Sequence, residues 1–203
     1  YELFFFRKDK DSETLGKEYF DKLYHKSDDP WNFTDSRYEQ EKYKQTLSVL
    51  DDRYDRVLEL GCSIGILSAH LAEKCNYLTA IDISELPLES ARKRCAKFSH
   101  VNFLKMDISK NFPDEGYDLI LISEVGYYLN RKNLDKLFKN CSRHLNKNGH
   151  LLMVHYTSFV SEYPLSGKEV HDYFLQSVYA NNFKQKDFQV HTGYELVLWE
   201  KAS

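Results

Sequence analysis

The 203-residue sequence has few residues that break or cross-link a chain: 8 Gly, 4 Pro and 4 Cys, with no CxxC pair. No histidine lies at metal-ligand spacing from Cys62, Cys75, Cys95 or Cys141, which argues against a zinc site built on these thiols. Scattered cysteines of this kind are typical of reduced, small apolar residues, so we expect a cytoplasmic protein.

A basic run and a long apolar run are also missing. The formal net charge is -3, which argues against nucleic acid as a partner. No apolar run reaches the roughly 18 residues of a membrane span, and the run at residues 3–6 is too short for a signal peptide. The length and the 42% hydrophobic content therefore predict a single globular domain.

Strand-like and helix-like segments alternate through most of the chain. The pattern predicts strands near 55–60, 77–82, 100–105, 117–123 and 149–156, and helices near 64–74, 85–97, 131–145 and 167–180. Such alternation predicts an α/β fold with a mostly parallel sheet covered on both faces. Near the C-terminus, two strand-like segments flank Thr192-Gly193, which predicts a hairpin and an antiparallel edge strand.

Two further helices are predicted before the first strand. Residues 13–24 carry apolar side chains on one face, and Asp28-Asp29-Pro30 ends that pattern. A second helix begins after a cap at Asp35 or Ser36 and runs to about Leu50. We expect residues 1–12 to form an arm, residues 1–50 together to form the arm and lid helices, and residues 51–203 to form the core.

The most informative segment is the strand-to-helix junction at residues 56–65, which reads RVLELGCSIG. An apolar strand enters a tight turn at Gly61, and a second apolar strand ends at Asp82, 21 positions later. A βαβ unit holds a nucleoside in this way, because the glycine turn admits the ligand and the acid accepts from the ribose hydroxyls. Glu59 before the turn and the lack of a third glycine argue against a dehydrogenase.

These residues resemble a known family pattern. The sequence ELGCSIG at 59–65 is similar to motif I of class I S-adenosylmethionine-dependent methyltransferases, E/D-x-G-x-G-x-G. Asp82, Asp107 and the turn at 145–151 match later positions of the pattern, so the resemblance covers roughly residues 50–200. It implies a Rossmann-like fold with a mostly parallel seven-stranded sheet, helices on both faces and a C-terminal antiparallel hairpin.

A narrower resemblance lies upstream. Tyr24, DPWNF at 29–33, SRYEQ at 36–40 and KY at 42–43 look like the N-terminal signature of NodS-type methyltransferases. Those enzymes N-methylate the free amine of a deacetylated glucosamine at the non-reducing end of a chitin oligosaccharide, in rhizobial Nod-factor synthesis. The resemblance implies an S-adenosylmethionine-dependent enzyme that acts on an amino sugar or oligosaccharide amine.

The resemblance also implies contacts to S-adenosylmethionine. Gly61 and Gly65 would pass the backbone under its methionine part, Asp82 would accept from both ribose hydroxyls, and Asp107 would accept from the adenine amino group. The planar fork of Arg37 suits the cofactor carboxylate, with Tyr19 and Tyr38 as alternatives. The expected cofactor-binding set is Trp31, Arg37, Glu59, Gly61, Cys62, Gly65, Asp82, Ile83, Met106, Asp107, Ile108 and Ser123.

Each contact has a structural alternative. The glycines can serve a strand-to-helix turn alone, Asp82 can cap the next helix where Ser84 could do so instead, and Asp107 can be a turn former.

The sequence departs from motif I at Ser63, which replaces the middle glycine. Serine reaches a left-handed conformation at a cost of about 1 kcal/mol. Family members tolerate Ser or Ala at this place, so we expect cofactor binding to be kept.

Candidate catalytic residues follow the fourth and fifth strands, at the carboxyl edge where open α/β sheets bind ligands. Glu124 could hold a substrate ammonium or hydroxyl, Tyr127 and Tyr128 could pack on a sugar ring, and His155 could take a proton near neutral pH. The alternatives are a capping Glu, two core aromatics and a hydrogen-bonded structural histidine. We expect Glu124, His155 and Tyr127 to be catalytic, and no metal site.

Two other functions stay open. One is a small-molecule or sugar O-methyltransferase, and the other is a non-catalytic S-adenosylmethionine-binding module. The sequence does not identify the methyl acceptor, a small molecule or an oligosaccharide, or distinguish nitrogen from oxygen as the methylated atom.

Overall fold

A single mixed β-sheet organises residues 13–203, the part of the chain that the computed structural model describes. Its strands are β1 (Tyr54–Leu60), β2 (Cys75–Asp82), β3 (Val101–Lys105), β4 (Tyr117–Ser123), β5 (Leu145–Tyr156), β6 (Phe183–His191) and β7 (Tyr194–Lys201). They lie in the order β3-β2-β1-β4-β5-β7-β6, with β7 antiparallel to both of its neighbours and the other pairs parallel. The predicted sheet and hairpin are confirmed, whereas the predicted arm at 1–12 lies outside the described residues.

Six α-helices accompany the sheet in the described part of the chain. They are α1 (Lys17–Lys26), α2 (Arg37–Ser48), α3 (Ile66–Leu71), α4 (Glu85–Arg94), α5 (Arg131–His144) and α6 (Gly167–Gln176). The side chains of Ser36, Ser84, Asn130 and Ser166 cap α2, α4, α5 and α6 by accepting from backbone N–H groups of the first turn. Of the two caps proposed for α2, Ser36 is therefore the one observed.

The central strands are buried on both faces. Leu119 and Leu121 pack into one apolar cluster, while Ile120 and Ile122 pack into the other. Successive side chains of a strand point to opposite faces, so the unbroken apolar run of β4 fills two cores at once. The chain order reverses between β1 and β4, which opens a crevice at the carboxyl ends of these strands.

Several helices are shorter than predicted. The predicted helix at 13–24 begins only at Lys17 and the helix at 64–74 is α-helical only to Leu71, followed by a 3₁₀ turn over Ala72–Lys74. α6 ends at Gln176 because Ser177 is extended, with its hydroxyl donating to the carbonyl of Phe174. None of the helices in residues 13–203 is both long and apolar enough to cross a membrane.

The conformation of the loop between α1 and α2 is stabilised by hydrogen bonds to one side chain within the loop, that of Asp29. The two carboxylate oxygens of Asp29 accept from the backbone N–H groups of Phe33 and Thr34, each at 2.8 Å. An aspartate that accepts from backbone groups ahead of it stabilises a turn, which brings Trp31 and α2 back over the sheet.

Candidate functional site

A cavity of about 330 Å³ lies at the carboxyl ends of β1, β2 and β4, beneath α1 and α2. We distinguish two groups of its lining residues. Those at the ends of β1 and β2, here called the β1–β2 end, are Glu59, Gly61 and Asp82, and those from α2 and the loop after β4, here called the α2 end, are Glu39, Lys42, Glu124 and Tyr127. The predicted site residues that line the cavity are Trp31, Glu59, Gly61, Cys62, Asp82, Ile83, Met106, Asp107, Ile108, Ser123, Glu124 and Tyr127.

Gly61 makes the first turn possible. Its φ is 78°, and a Cβ at this position would lie 2.1 Å from Cγ2 of Val125. The backbone N–H groups of Gly61 and Cys62 both donate to the carbonyl of Ile81, at 2.8 Å. A side chain is therefore excluded at Gly61 by backbone conformation and by the loop after β4.

Gly65 serves packing instead of lining the cavity. Its φ is 76°, and an added Cβ would lie 2.7 Å from Cβ of Ala91 in α4. Gly65 lets α3 begin close against α4, and its place beneath a bound cofactor stays a prediction.

Ser63 takes the left-handed conformation that the glycine of the motif would take. Its φ is 48°, and its hydroxyl lies 2.7 Å from the Tyr24 hydroxyl, while its backbone N–H donates to Oδ2 of Asp82 at 3.0 Å. The partly buried hydrogen bond to Tyr24, of about 0.5–1.5 kcal/mol, offsets the strain of a non-glycine residue.

Asp82 is buried at the end of β2. Its carboxylate accepts from the backbone N–H groups of Ser63 and Ser84, at 3.0 and 2.9 Å. Burial raises its pKa to about 6, although the backbone hydrogen bonds act in the opposite direction. Ser84 caps α4 through Leu86, so Asp82 keeps lone pairs for a ligand in the cavity.

Glu59 lies beneath the turn. The Ser68 hydroxyl donates to its Oε2 at 2.5 Å, and burial raises the pKa of Glu59 to about 8. Within residues 13–203, neither Glu59 nor Asp82 forms an ion pair with a basic side chain. The β1–β2 end therefore holds two acids without a cation partner among the described residues, and Glu59 keeps its proton near neutral pH.

Apolar side chains and one acid line the wall beyond β3. Ile83, Met106 and Ile108 line it together with Asp107. Asp107 accepts from the Ser109 hydroxyl at 2.6 Å and pairs with Lys110 at 3.0 Å. Burial acts to raise the pKa of Asp107, but the bonds from Ser109 and Lys110 outweigh it and hold that pKa below its usual value. A flat ring would fit between these side chains.

Glu124 is the best-fixed carboxylate of the α2 end. It follows β4 with a φ of 58°, and its Oε1 accepts from the Lys42 ammonium at 2.8 Å. Its Oε2 accepts from the Tyr127 hydroxyl at 2.5 Å and from the Tyr156 backbone N–H at 3.1 Å. Its strained backbone is thus held by three donors from three separate segments.

Lys42 joins α2 to this carboxylate. Its ammonium lies 2.8 Å from Glu124 and 2.9 Å from Glu39, and its side chain is only 4% exposed. Burial acts to lower the pKa of Lys42, but the two carboxylates outweigh it and raise that pKa. Burial raises the pKa of Glu39, against the opposing effect of Lys42.

His155 does not reach the cavity, contrary to the prediction that it takes a proton there. It is fully buried, accepts from the Gly126 backbone N–H through Nε2 at 3.1 Å, and contacts Nε2 of His171 through Nδ1 at 3.1 Å. Burial holds its pKa well below the usual value. The histidine supports the loop after β4.

Arg37 is also not brought to the site. Its side chain is exposed at the start of α2 and is not among the cavity-lining residues. Of the two tyrosines named as alternatives, Tyr38 lines the cavity and Tyr19 does not. The structure therefore does not place the guanidinium of Arg37 among the side chains that would meet a cofactor in the cavity.

Aromatic side chains form the outer wall of the α2 end. The rings of Tyr127 and Tyr163 stack with centroids 5.0 Å apart, and Tyr128 meets Tyr127 edge-on at 4.7 Å. Trp31 stacks on Phe33 above the opposite side. Such a wall favours a ligand with apolar faces, a sugar ring among them.

Sequence reasoning gave Tyr24, Glu39 and Lys42 no individual role in the site. Glu39 and Lys42 lie three positions apart on α2, the spacing that places two side chains on one helical face. The spacing predicts that the two side chains share one face of α2, but it does not predict that this face lines the cavity.

Comparison with known proteins agrees with this geometry. A family model described as Nodulation protein S (NodS) matches residues 16–158. Nodulation protein S of Bradyrhizobium diazoefficiens is 38% identical over 104 residues, 50% of each chain. Nodulation protein S of Rhizobium tropici is 31% identical over 129 residues, 62% of this chain and 54% of that one. The matched segments span about half the length of these relatives.

A solved structure shares the whole fold. N-methyltransferase NodS from Bradyrhizobium japonicum, in complex with S-adenosyl-L-homocysteine, matches with a TM-score of 0.81 at 23% identity, covering 92% of this chain and 98% of that one. This likeness confirms the class I methyltransferase fold. Because the family model covers more than half of the sequence, the chain belongs to the NodS family.

Proposed function

We propose that the chain is an S-adenosylmethionine-dependent methyltransferase that N-methylates an amino sugar or oligosaccharide amine of the Nod-factor type. The observation that carries the proposal is the continuous cavity at the strand ends, which joins the Gly61–Asp82 turn to the Glu124 carboxylate. Membership of the NodS family supports it, as does the likeness to the Bradyrhizobium japonicum protein, an N-methyltransferase solved with S-adenosyl-L-homocysteine.

The β1–β2 end fits the cofactor. Asp82 has lone pairs left for ribose hydroxyls, Gly61 lines the cavity without a side chain, and Ile83, Met106 and Ile108 offer apolar contacts to adenine. When bound, S-adenosylmethionine supplies a methyl group on a positively charged sulfur. In this proposal Glu59, Cys62, Asp107, Ser123 and Trp31 complete its site.

The α2 end fits the acceptor. Glu124 can accept a hydrogen bond from an ammonium or hydroxyl, while Tyr127 and Tyr163, whose rings stack on each other, supply aromatic lining beside a sugar ring. The protein needs only to align the nucleophile and exclude water, and such positioning contributes roughly 7–11 kcal/mol in favourable cases. The α1 and α2 helices over the cavity would supply the lid, within the proposed N-terminal segment of residues 1–50.

The location is also a proposal. The four cysteines are free and buried, which supports a reducing compartment such as the cytoplasm.

The test is the product mass from a fully deacetylated chitin oligosaccharide incubated with S-adenosylmethionine. We expect a gain of one methyl group. The matched control is the fully N-acetylated oligosaccharide, which has the same hydroxyls without a free amine and should gain none. Methylation of both would point to O-methylation, and methylation of neither, with S-adenosyl-L-homocysteine bound, would reject this acceptor class.

A further inference from the structure

Three charged side chains meet at the α2 end of the cavity. The Lys42 ammonium lies between Glu39 and Glu124, 2.9 and 2.8 Å away, and the three side chains are only 4%, 11% and 16% exposed in the order Lys42, Glu39, Glu124. Two of them come from α2, and the third lies 82 positions later, after β4. The contact is therefore a tertiary one that forms only when α2 lies on the sheet.

The groups carry one positive and two negative charges when all are ionised. Two carboxylates that share a single cation in a poorly solvated place retain a net affinity for one more positive charge. Either a proton or a ligand ammonium can supply it.

The oxygens of the two carboxylates are not equivalent. Both oxygens of Glu124 are hydrogen-bonded, and Glu124 follows Ser123 directly at the carboxyl end of β4. Oε2 of Glu39 is buried and has no hydrogen bond, although it lies 2.9 Å from the Lys42 ammonium. Both carboxylates line the cavity, and Glu124, at the carboxyl end of β4 and the more exposed of the two, is the one placed to meet an acceptor.

We propose that Glu39, Lys42 and Glu124 act as one proton-accepting unit, in which Glu124 contacts the acceptor amine and the two α2 residues are positioning residues that set its charge. This inference rests on the proposed function. It adds that the base is incomplete without α2, whereas the catalytic residues expected from the sequence were Glu124, His155 and Tyr127, none of them in α2.

The proposed step is balanced in atoms and electrons. The acceptor enters as R–NH3⁺ and gives one proton to a carboxylate oxygen of Glu124, leaving R–NH2. The nitrogen lone pair then forms the bond to the methyl carbon as the carbon–sulfur bond breaks, and the sulfur keeps that electron pair. The product leaves as a secondary ammonium, R–NH2⁺–CH3, and the proton on Glu124 passes to water.

Other polar groups also face this unit. The Lys42 ammonium lies 5.2 Å from the centroid of the Tyr38 ring, and the Tyr127 hydroxyl donates to Glu124. The titratable groups that act on the unit from the surrounding elements are Asp29, Tyr38, Tyr43, Tyr127, Tyr128, His155 and Tyr194. Burial raises the pKa of each tyrosine, so these stay neutral near neutral pH, as does His155.

The test is the pH dependence of kcat/KM for amine methylation, in the full chain and in variants on the two sides of Lys42. The acidic limb of this profile is the range in which kcat/KM falls as the pH is lowered. Glu39→Gln removes a negative charge beside Glu124, so the acidic limb should move to lower pH by about one unit or more. Lys42→Met removes the shared cation, so the limb should move to higher pH by a similar amount. A merely structural role would lower activity without moving the limb in opposite directions.

The matched control is Glu41→Gln, the same charge change on an exposed position of α2, which should leave the limb in place. Calorimetric binding of S-adenosyl-L-homocysteine checks that each variant is folded. Tyr127→Phe, which removes one donor to Glu124, replaces Lys42→Met if that variant fails to bind, and should also move the limb upward.

Two results would overturn the inference alone: no acidic limb in the wild-type profile, or shifts of the two variants that are absent or in the same direction. A wild-type chain that methylates no amine would overturn the proposed function itself, and this inference with it.

Discussion

The two ends of the cavity differ in how the protein treats buried charge. At the β1–β2 end, Glu59 and Asp82 have hydroxyl and backbone partners without a cation, and burial raises their pKa values to about 8 and about 6. At the α2 end, Lys42 holds Glu124 and Glu39 within 2.9 Å. The first end therefore gains from a ligand that donates hydrogen bonds, while the second is organised before any ligand arrives.

The largest effect is expected from a substitution at Glu124, which should lower the rate of methylation and leave cofactor affinity unchanged. Glu124→Gln keeps the shape of the side chain but removes its charge, so amine methylation should slow by about 100-fold or more, the usual range for loss of a proton acceptor. Affinity for S-adenosyl-L-homocysteine should not change, because Glu124 belongs to the other end. Steady-state kinetics measures the methylation rate, and calorimetry measures the affinity for S-adenosyl-L-homocysteine. A weakened affinity in Glu124→Gln would contradict the assignment of Glu124 to the α2 end alone.

The second effect should appear at the β1–β2 end. Asp82→Ala removes the proposed partner of two ribose hydroxyls, each worth roughly 1.5–3 kcal/mol, so S-adenosyl-L-homocysteine should bind at least about 100-fold more weakly. Titration calorimetry measures this loss. Asp52→Ala, at an exposed aspartate, is the control and should bind normally. Retention of wild-type affinity in Asp82→Ala would remove Asp82 from the site.

A smaller effect concerns stability and pH. Glu59 titrates near 4.5 as a free group and at about 8 when buried, so the folded state holds its proton more tightly than the unfolded state. The contribution of Glu59 to wild-type stability therefore falls as the pH rises from about 4.5 to about 8. In Glu59→Gln the side-chain carbonyl can still accept the hydrogen bond from Ser68, and the free energy of unfolding should lack this pH-dependent decrease.

Thermal denaturation without ligand measures the difference. The melting temperatures of wild type and Glu59→Gln should coincide near pH 4.5 and separate toward pH 8, by about 2–4 °C for each kcal/mol. A constant difference at all pH values would show that the substitution acts through packing and not through charge.

The smallest effect is expected at Ser63. Ser63→Gly relieves about 1 kcal/mol of left-handed strain but removes the hydrogen bond to Tyr24, worth about 0.5–1.5 kcal/mol, so the melting temperature should hardly change. Ser63→Ala keeps the strain and loses the bond, and it should melt below Ser63→Gly. The reverse order would mean that the hydroxyl contributes nothing at this turn.

The sequence predicted the strands and turn of the β1–β2 end because they depend on residues close together in the chain, whereas the roles of the side chains there stay predictions. Glu59, Gly61 and Asp82 are placed by two strand ends and one turn, each with its own apolar run and glycine signal. Apolar runs likewise predicted β4, and the Thr192-Gly193 turn predicted the hairpin. The packing reason for Gly65 was missed, because Ala91 lies on another helix.

The α2 end was predicted poorly because it depends on tertiary contact. Nothing in the spacing of Glu39 and Lys42 tells that their face meets Glu124, 82 positions from Lys42. Nor does the sequence around His155 show that His171 and Gly126 occupy its two nitrogens. Residues whose roles arise between distant elements need the structure.

The central claim is that one cavity holds a methyl donor and an amine acceptor at opposite ends. The most direct measurement is a crystal structure with S-adenosyl-L-homocysteine and a deacetylated chitin oligosaccharide bound together. We expect the ribose hydroxyls on Asp82, the sulfur facing a sugar amine, and that amine within hydrogen-bond distance of Glu124. A sugar hydroxyl facing the sulfur, or a ribose away from Asp82, would contradict the account.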